Sequence, residues 1–516
     1  MSEAVAQKLN LPGRVLLAAL TLLPIVGIAL ATSLGPGISV DSVSYSAAAK
    51  SWAESGLLLG YDGRDLSIFP VGLPVLVGSL MATGLALSAA VTLPNLVATG
   101  LIVLAAYFLG RQVMTSPGWA LMAALLVSLA VSTVRVGSYF WTEPVFTALV
   151  SWALVVTAWG IRRRLDSWRV ALAVGALVSV ASTFRYVGIA VLPVLALGVA
   201  WSSHSRRLFR GLLVLGVGSL GLLLSIGRNL SIGAPAMGER YPGTVDSQGA
   251  VLGLVKLWGE YLVPSTATSL TVVFGAVVLV LLVIGTWLVL VARNRPGVVV
   301  SGFVIVYWGA ILVSQVGTRL DVATERFGAP VLAATVVLVL VAIRSLLGTV
   351  SRQIEESTSW NSQRIHQGVV GLAVLVLVGV LGISLLHTFR FVVDGRHNGL
   401  GLDSATAADR SVSLIAQDLP AETVIASNDP WQVWWSRGEG PVLDLPPSRN
   451  EWPADRVQAD LDRLTSVVRE EGSVVVLLDE GSRASISVED LTDQGILVSD
   501  VGRQSGVEVW ELTPAG

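Results

Sequence analysis

Residues 69–90 read FPVGLPVLVGSLMATGLALSAA, and whether they cross a membrane decides the topology of the whole chain. The stretch is apolar and as long as a transmembrane helix, about 20 residues, but it carries two prolines and three glycines. It reads either as a span or as a segment lying in, or dipping into, the membrane surface. On either side of it, clear apolar spans fall at roughly 15–34, 91–110, 118–136, 144–160, 169–184, 187–202, 211–227, 269–291, 298–316, 327–346 and 369–388. The charges between these spans settle the choice. If 69–90 does not cross, then Lys8, Arg14, Arg111, Arg162, Arg163, Arg164, Arg206, Arg207, Arg210, Arg293, Arg295, Arg352 and Arg364 share one side. If it does cross, every cluster after the first moves to the other side. Basic residues collect in cytoplasmic loops, so the non-crossing topology is expected. It gives an all-α polytopic domain of about eleven transmembrane helices, with the N-terminus in the cytoplasm of a multi-pass cell-membrane protein.

Composition agrees with this division. The chain has 516 residues, of which 53% are hydrophobic and 14% charged, with a mean hydropathy of +0.71. A soluble protein carries about 25% charged residues. The deficit is concentrated before residue 390, and the stretch 390–516 reads as soluble sequence with roughly 22 acidic against 10 basic residues. The expected domains are therefore 1–389, with surface helices at 41–90, and 390–516, a small α/β domain outside the cell. An acidic tail argues against nucleic acid as a partner. Cysteine is absent, which removes thiolate chemistry and disulfides. The first apolar run lacks a small-residue cleavage site and is read as a retained span.

On this topology the outer loops hold Asp41, Glu143, Arg185, Arg228, Arg319, Asp321, Glu325 and Arg326. Charges at the outer ends of several helices are costly unless they pair, reach water or bind something, and together they are expected to make one outward-opening polar site. In the first loop, Asp41, Tyr45, Ala48, Ala49 and Trp52 recur at helical spacing, predicting a short amphipathic surface helix. Asp41 either caps that helix or acts as a general base on an acceptor hydroxyl. Glu143 precedes Pro144, a normal helix start at which an acid complements the dipole. Arg185-Tyr186, Arg228-Asn229 and Arg326 each lie at the end of an apolar run. Each arginine either snorkels to the interface or contributes to a phosphate site through charge-assisted hydrogen bonds. The four histidines, His204, His366, His387 and His397, have no metal-ligand spacing. No nucleotide-binding or nucleophile-elbow motif is present in the tail.

Within the tail, 403–417, 429–435 and 455–470 read as helices, while 423–426, 441–445, 473–478 and 507–512 read as strands. Asn428, Asp429, Trp431, Trp434 and Trp435 are its candidate exposed residues, with packing as the alternative for the aromatics.

The order of several elements resembles the GT-C glycosyltransferases, polytopic enzymes that use polyprenyl-phosphate sugars and include bacterial aminoarabinose and protein mannosyl transferases. The resemblance rests on Asp41 with Tyr45 and Ala49, the FPVGLP segment, Glu143-Pro144, Arg185-Tyr186 with Gly188, Arg228-Asn229 with Gly233-Ala234-Pro235, and Arg326-Phe327 with Pro330. It implies an inverting glycosyltransferase that takes a sugar from a polyprenyl-phosphate donor in the membrane lipid and passes it to an extracytoplasmic lipid, glycan or protein. By this resemblance Asp41 is the catalytic base, and Glu143 is a second acid near the acceptor or an optional divalent cation. Arg228, Arg326 and Arg185 hold the donor phosphate, and Tyr45, Tyr186 and Asn229 bind substrate. The family's first loop often has two adjacent acids. Here Ser42 follows Asp41, so the resemblance implies no required metal and no other cofactor. The FPVGLP segment lacks the lysine of aminoarabinose transferases, so that sugar is not assigned.

Two rival classes remain at this stage. A transporter or flippase of a lipid-linked or anionic substrate calls for inverted repeats and polar residues near the bilayer midplane. A membrane anchor with a sensing tail gives the outer charges no shared role. Because the chain contains no cysteine, topology is open to single-cysteine labelling. Cysteines placed beside Arg111 and Arg162 are expected to label only from the cytoplasmic side, and labelling from outside rejects the topology.

Overall fold

In the structure, a computed structural model, residues 69–90 do not form one helix. The described residues are 9–515 apart from 166, 203–205, 239–244, 263–267, 319–323, 357–359, 403, 409, 439, 441, 447–453, 480–485 and 505. The chain opens with α1 (Leu11–Ala31), α2 (Val40–Ser55), α3 (Gly72–Ala82) and α4 (Leu87–Met114). The 11 residues of α3 reach about 17 Å, well short of a bilayer core of about 30 Å. Gly84, at φ +96°, takes a left-handed conformation that stops α3 before α4 begins.

Next come α5 (Pro117–Leu129), α6 (Val131–Ser138), α7 (Glu143–Arg163), α8 (Trp168–Phe184), a 3-10 helix at Tyr186–Val191 and α9 (Leu192–Ser202). They are followed by α10 (Arg207–Ser231), α11 (Ser247–Leu262), α12 (Thr268–Val291), α13 (Arg295–Gly317), α14 (Glu325–Glu356) and α15 (Trp360–Asn398). Among the described residues, eight helices are long and apolar enough to cross a membrane, or nine if the bent pair α5–α6 is one span. The chain is a multi-pass membrane protein. The expected count of about eleven is not reached on length and composition, because α8 and the stretch Tyr186–Ser202 are shorter apolar helices. Helix α11 was not expected; it fills the long loop after α10.

The α5–α6 break is a 52° bend, and a break inside hydrocarbon must satisfy the backbone groups it frees. Hydroxyls do so here. Thr133 Oγ1 donates to the Val127 carbonyl at 2.7 Å and Ser384 Oγ to the Leu129 carbonyl at 2.6 Å. Ser128 Oγ in turn donates to Leu20 O on α1 at 2.7 Å. On α4, Asn95 is buried and its amide donates to the carbonyls of Gly137 at 3.1 Å and Tyr139 at 2.9 Å. These bonds set the direction of α6 and of the turn leading into α7.

By contacts the chain groups into two units: 1–31, 67–73 and 91–393 form one, and 32–66, 74–90 and 394–516 form the other. The expected boundary followed chain order at residue 389; in three dimensions the segments 32–66 and 74–90 group with the tail.

In the second unit, Ser39 precedes α2 and its amide donates to Ser42 Oγ at 2.9 Å, so the cap is Ser39 and not Asp41. The expected amphipathic α2 is instead buried almost all round from Ser42 to Ala49. Small side chains permit that, since Gly78 lies where a Cβ would strike Trp52 at 2.8 Å. The tail continues with α16 (Ala405–Ala408), α17 (Ser411–Asp418), β1 (Ile425–Ser427), α18 (Pro430–Arg437), β2 (Val442–Asp444), α19 (Ala454–Glu471), β3 (Val474–Asp479), α20 (Val488–Thr492), β4 (Ile496–Gln504) and β5 (Val507–Pro514). The sheet order is β2-β1-β3-β5-β4, with β1 parallel to β2 and β3, and β5 antiparallel to β3 and β4. Val474, Val476 and Leu478 of β3 pack with Val457, Leu461, Leu464 and Val468 of α19, while α17 packs against the same strand. This is the expected α/β domain, with β4 and α20 added. Asn428, Asp429 and Trp434 are buried, not exposed. Asp429 caps α18, Asn428 exchanges hydrogen bonds with Asp479, and Lys50 lies 4.9 Å over the Trp434 ring.

A clasp closes this unit. Asp62 accepts from Arg64 Nε at 2.6 Å and from Arg463 Nη1 at 3.0 Å. Burial pushes the Asp62 carboxyl up, but Arg64 and Arg463 outweigh it and hold it below the ordinary carboxylate range. The clasp therefore stabilises fully above about pH 4, where the unfolded carboxyl ionises, and fades as pH falls through the lowered folded value. Asp62→Asn is expected to cost about 2 kcal/mol at neutral pH and to flatten the loss of stability below about pH 4. Thermal unfolding of the two proteins across that range checks it, and superimposable acid limbs would reject the assignment.

Candidate functional site

A carboxylate with no solvent exposure sits at the head of α7. Glu143 is 0% exposed, placed there because Thr142 and Pro144 start the helix. Its Oε1 accepts from Arg185 Nη1 and, at 2.9 Å, from Arg326 Nε. Arg185 ends α8, where its extended backbone breaks the helix before the 3-10 turn. Arg326 lies in the first turn of α14. Aromatic faces flank both cations: Arg326 lies 4.5 Å over the Trp141 ring and Arg185 5.4 Å over the Phe327 ring. A charge this deep persists only when paired, and here two guanidiniums share it.

Tyr186, next to Arg185, leads to a second group. The Asn229 amide donates to Tyr186 Oη at 3.2 Å, to Ala236 O at 3.2 Å and to Ser67 O at 3.5 Å. Asn229 in turn stands beside Arg228 at the end of α10, with Arg228 Nη1 3.4 Å from Asn229 Oδ1. Ser67 leads into the FPVGLP segment. Gly72 there passes so close to α8 that a Cβ would lie 2.6 Å from Thr183 O, which only glycine permits. Thus the structure brings Glu143, Arg185 and Arg326 together, and likewise Tyr186, Arg228 and Asn229, all in the first unit. Asp41, in the first turn of α2, and buried Tyr45 belong to the second. Arg319, Asp321, Lys8 and His204 lie outside the described residues.

Full burial and two ion pairs engage the Glu143 carboxylate with both arginines. Among the described residues, no three His, Cys, Asp or Glu side chains gather as metal ligands.

Sequence reading missed Arg135, which lies on the short helix α6 and pairs through Nη1 with both Glu325 oxygens at 2.9 and 3.0 Å. The signal was available: an arginine inside an apolar run, where an ionisable residue calls for a partner. It also missed Tyr261, whose hydroxyl donates to Glu325 O at 3.0 Å, and buried Tyr307.

No family model matches the chain, and no curated protein matches it in sequence. Solved structures do match in shape. ArnT from Cupriavidus metallidurans aligns over 96% of this chain and 97% of its own, with 15% identity and a TM-score of 0.62 in the apo state. Bound to undecaprenyl phosphate, the same protein aligns with 14% identity and a TM-score of 0.58. The oligosaccharyltransferase AglB from Archaeoglobus fulgidus, in complex with an inhibitory peptide and a dolichol-phosphate, aligns over 91% of this chain and 70% of its own, with 12% identity and a TM-score of 0.55. The fold is the GT-C fold.

Removing the shared anion leaves two cations facing each other in a low-dielectric setting. Glu143→Gln is expected to destabilise the chain by about 3 kcal/mol, more than Arg326→Met, which leaves Glu143 paired with Arg185. Thermal unfolding in detergent ranks the two, and the reverse order would contradict the shared pairing.

Proposed function

We propose that the chain is an integral-membrane, inverting glycosyltransferase that moves a sugar from a polyprenyl-phosphate donor to a lipid, glycan or protein acceptor on the extracytoplasmic side. One observation carries this reading: two arginines from distant parts of the chain, held by one buried carboxylate in a GT-C bundle. A guanidinium has five N–H donors, more than one carboxylate engages, and its planar fork matches phosphate. The neighbours ArnT, with undecaprenyl phosphate, and AglB, with dolichol-phosphate, support a donor of the same class.

In this reading Arg185 and Arg326, with Arg228, bind the donor phosphate, and Glu143 positions Arg185 and Arg326. Tyr186 and Asn229 fix the loop beside them. Asp41 enters on sequence grounds, as the acid opening the first loop. The acceptor hydroxyl attacks the anomeric carbon, its proton passes to Asp41, and the bond from that carbon to the phosphate oxygen breaks. The electron pair leaves with the polyprenyl phosphate, whose growing charge the arginines stabilise. The transition state is oxocarbenium-like, and a single displacement inverts the anomeric centre. The phosphate linkage stores the energy, so no nucleotide is required, and no step uses a metal.

Asp41→Asn is expected to lower sugar transfer from a labelled polyprenyl-phosphate sugar by about 100-fold or more while donor binding persists. Arg228→Met is expected to raise the donor KM by about tenfold. Full activity of Asp41→Asn in membranes would remove Asp41 as the base.

A further inference from the structure

At the opposite end of α7 from Glu143, a cavity of about 780 Å³ opens between the ends of α4, α7 and α9 and the α12–α13 joint. Arg162, Arg164, Arg293 and Arg295 line it together with Trp201 and Leu290, and among the described residues no acidic side chain lines it. We propose that this cavity is a binding site for the phosphodiester headgroup of an anionic glycerophospholipid.

Clustered arginines at this end serve a topology signal in any case. A topology signal, however, requires only charge in a loop, and these four arginines converge from two separate loops on one concavity. Their frame is built. Arg162 Nη1 donates to Gln112 O at 2.8 Å and Asn294 Nδ2 to Val113 O at 2.9 Å, which ties both loops to the end of α4. Arg295 stacks 5.4 Å over the Trp201 ring. Three lining residues, Thr115, Arg164 and Arg293, hold left-handed backbones at φ +64°, +50° and +49°, a conformation rare for residues with a Cβ.

The apolar part of the lining favours a lipid over a free anion. Trp201 is 41% exposed and Leu290 47%, and on α12 Leu290 adjoins Trp287 and Val291, which are more exposed still. An acyl chain along that surface places its phosphate among the arginines, whose forks take phosphate oxygens bidentately. Basic pockets between helices on the cytoplasmic side are a recognised setting for anionic headgroups, and the positive-inside expectation puts this end there. The site is separate from the Glu143 cluster and stands whether or not the chain transfers sugar.

The full chain in non-ionic detergent, titrated with phosphatidylglycerol and with phosphatidylcholine, provides the test by native mass spectrometry. The wild type is expected to retain phosphatidylglycerol preferentially, and Arg293→Gln with Arg295→Gln to weaken that retention by about tenfold or more. A charge-matched control, Arg163→Gln with Arg169→Gln, removes two arginines outside the lining and is expected to leave retention unchanged. Undiminished retention by the cavity variant overturns the proposal, and so does equal weakening in the control, which marks general surface charge. Displacement of the lipid by equimolar inorganic pyrophosphate overturns the lipid assignment in favour of a free-phosphate site. Should the cavity variant not fold, a photoactivatable phosphatidylglycerol on the wild type decides. Cross-links at 112–115, 161–164 or 290–298 support the site, and cross-links confined elsewhere overturn it.

Discussion

A single carboxylate shared by two guanidiniums organises the membrane unit. Glu143, Arg185 and Arg326 come from the first turn of one helix, the end of another and the start of a third, so their ion pairs fix how three helix ends meet. An isolated ion in such surroundings costs several kcal/mol. The carboxylate makes two arginines tolerable, and the arginines make the carboxylate tolerable. Neither partner fits without the other. Aromatic faces of Trp141 and Phe327 over the cations keep the guanidiniums flat and oriented.

The same economy of polar groups governs the backbone around this cluster. The bend between α5 and α6 leaves carbonyls without helical donors, and Thr133 and Ser384 hydroxyls take them up. Asn95 does the same for the turn after α6. The bend thereby aims α6, and with it Arg135, toward Glu325. Adjacent residues Glu325 and Arg326 thus face different partners, each of opposite charge. Asn229 plays the corresponding part at the end of α10, holding Tyr186 and the backbone at Ser67 and Ala236. In each case a side chain replaces a hydrogen bond that water would provide in a soluble protein.

The two ends of α7 illustrate two uses of arginine. At the Glu143 end the cations are half-buried, paired and stacked, which gives fixed geometry. At the other end Arg162 and Arg164 are exposed on a cavity that no acidic side chain lines among the described residues, which gives attraction without fixed geometry. Charge alone does not separate these roles; burial and partners do.

Hydropathy and loop charge determined the multi-pass bundle, the small α/β tail and that 69–90 is not one spanning helix, because each is a local property summed over a window of chain. The arginines at 185, 228 and 326 and the acid at 143 were legible as charges at helix ends for the same reason. Only the tertiary structure decided that Glu143 pairs with residues 42 and 183 positions away, that Arg135 reaches Glu325, that Ser39 rather than Asp41 caps α2, and that segments 32–66 and 74–90 group with the tail. The helix lengths also came from it, since α8 and the stretch Tyr186–Ser202 are short and hydropathy averages over such breaks. Apolar periodicity records which face of a helix avoids water. It carries no information about which distant charge will meet which, because that depends on helix packing that no window of sequence contains.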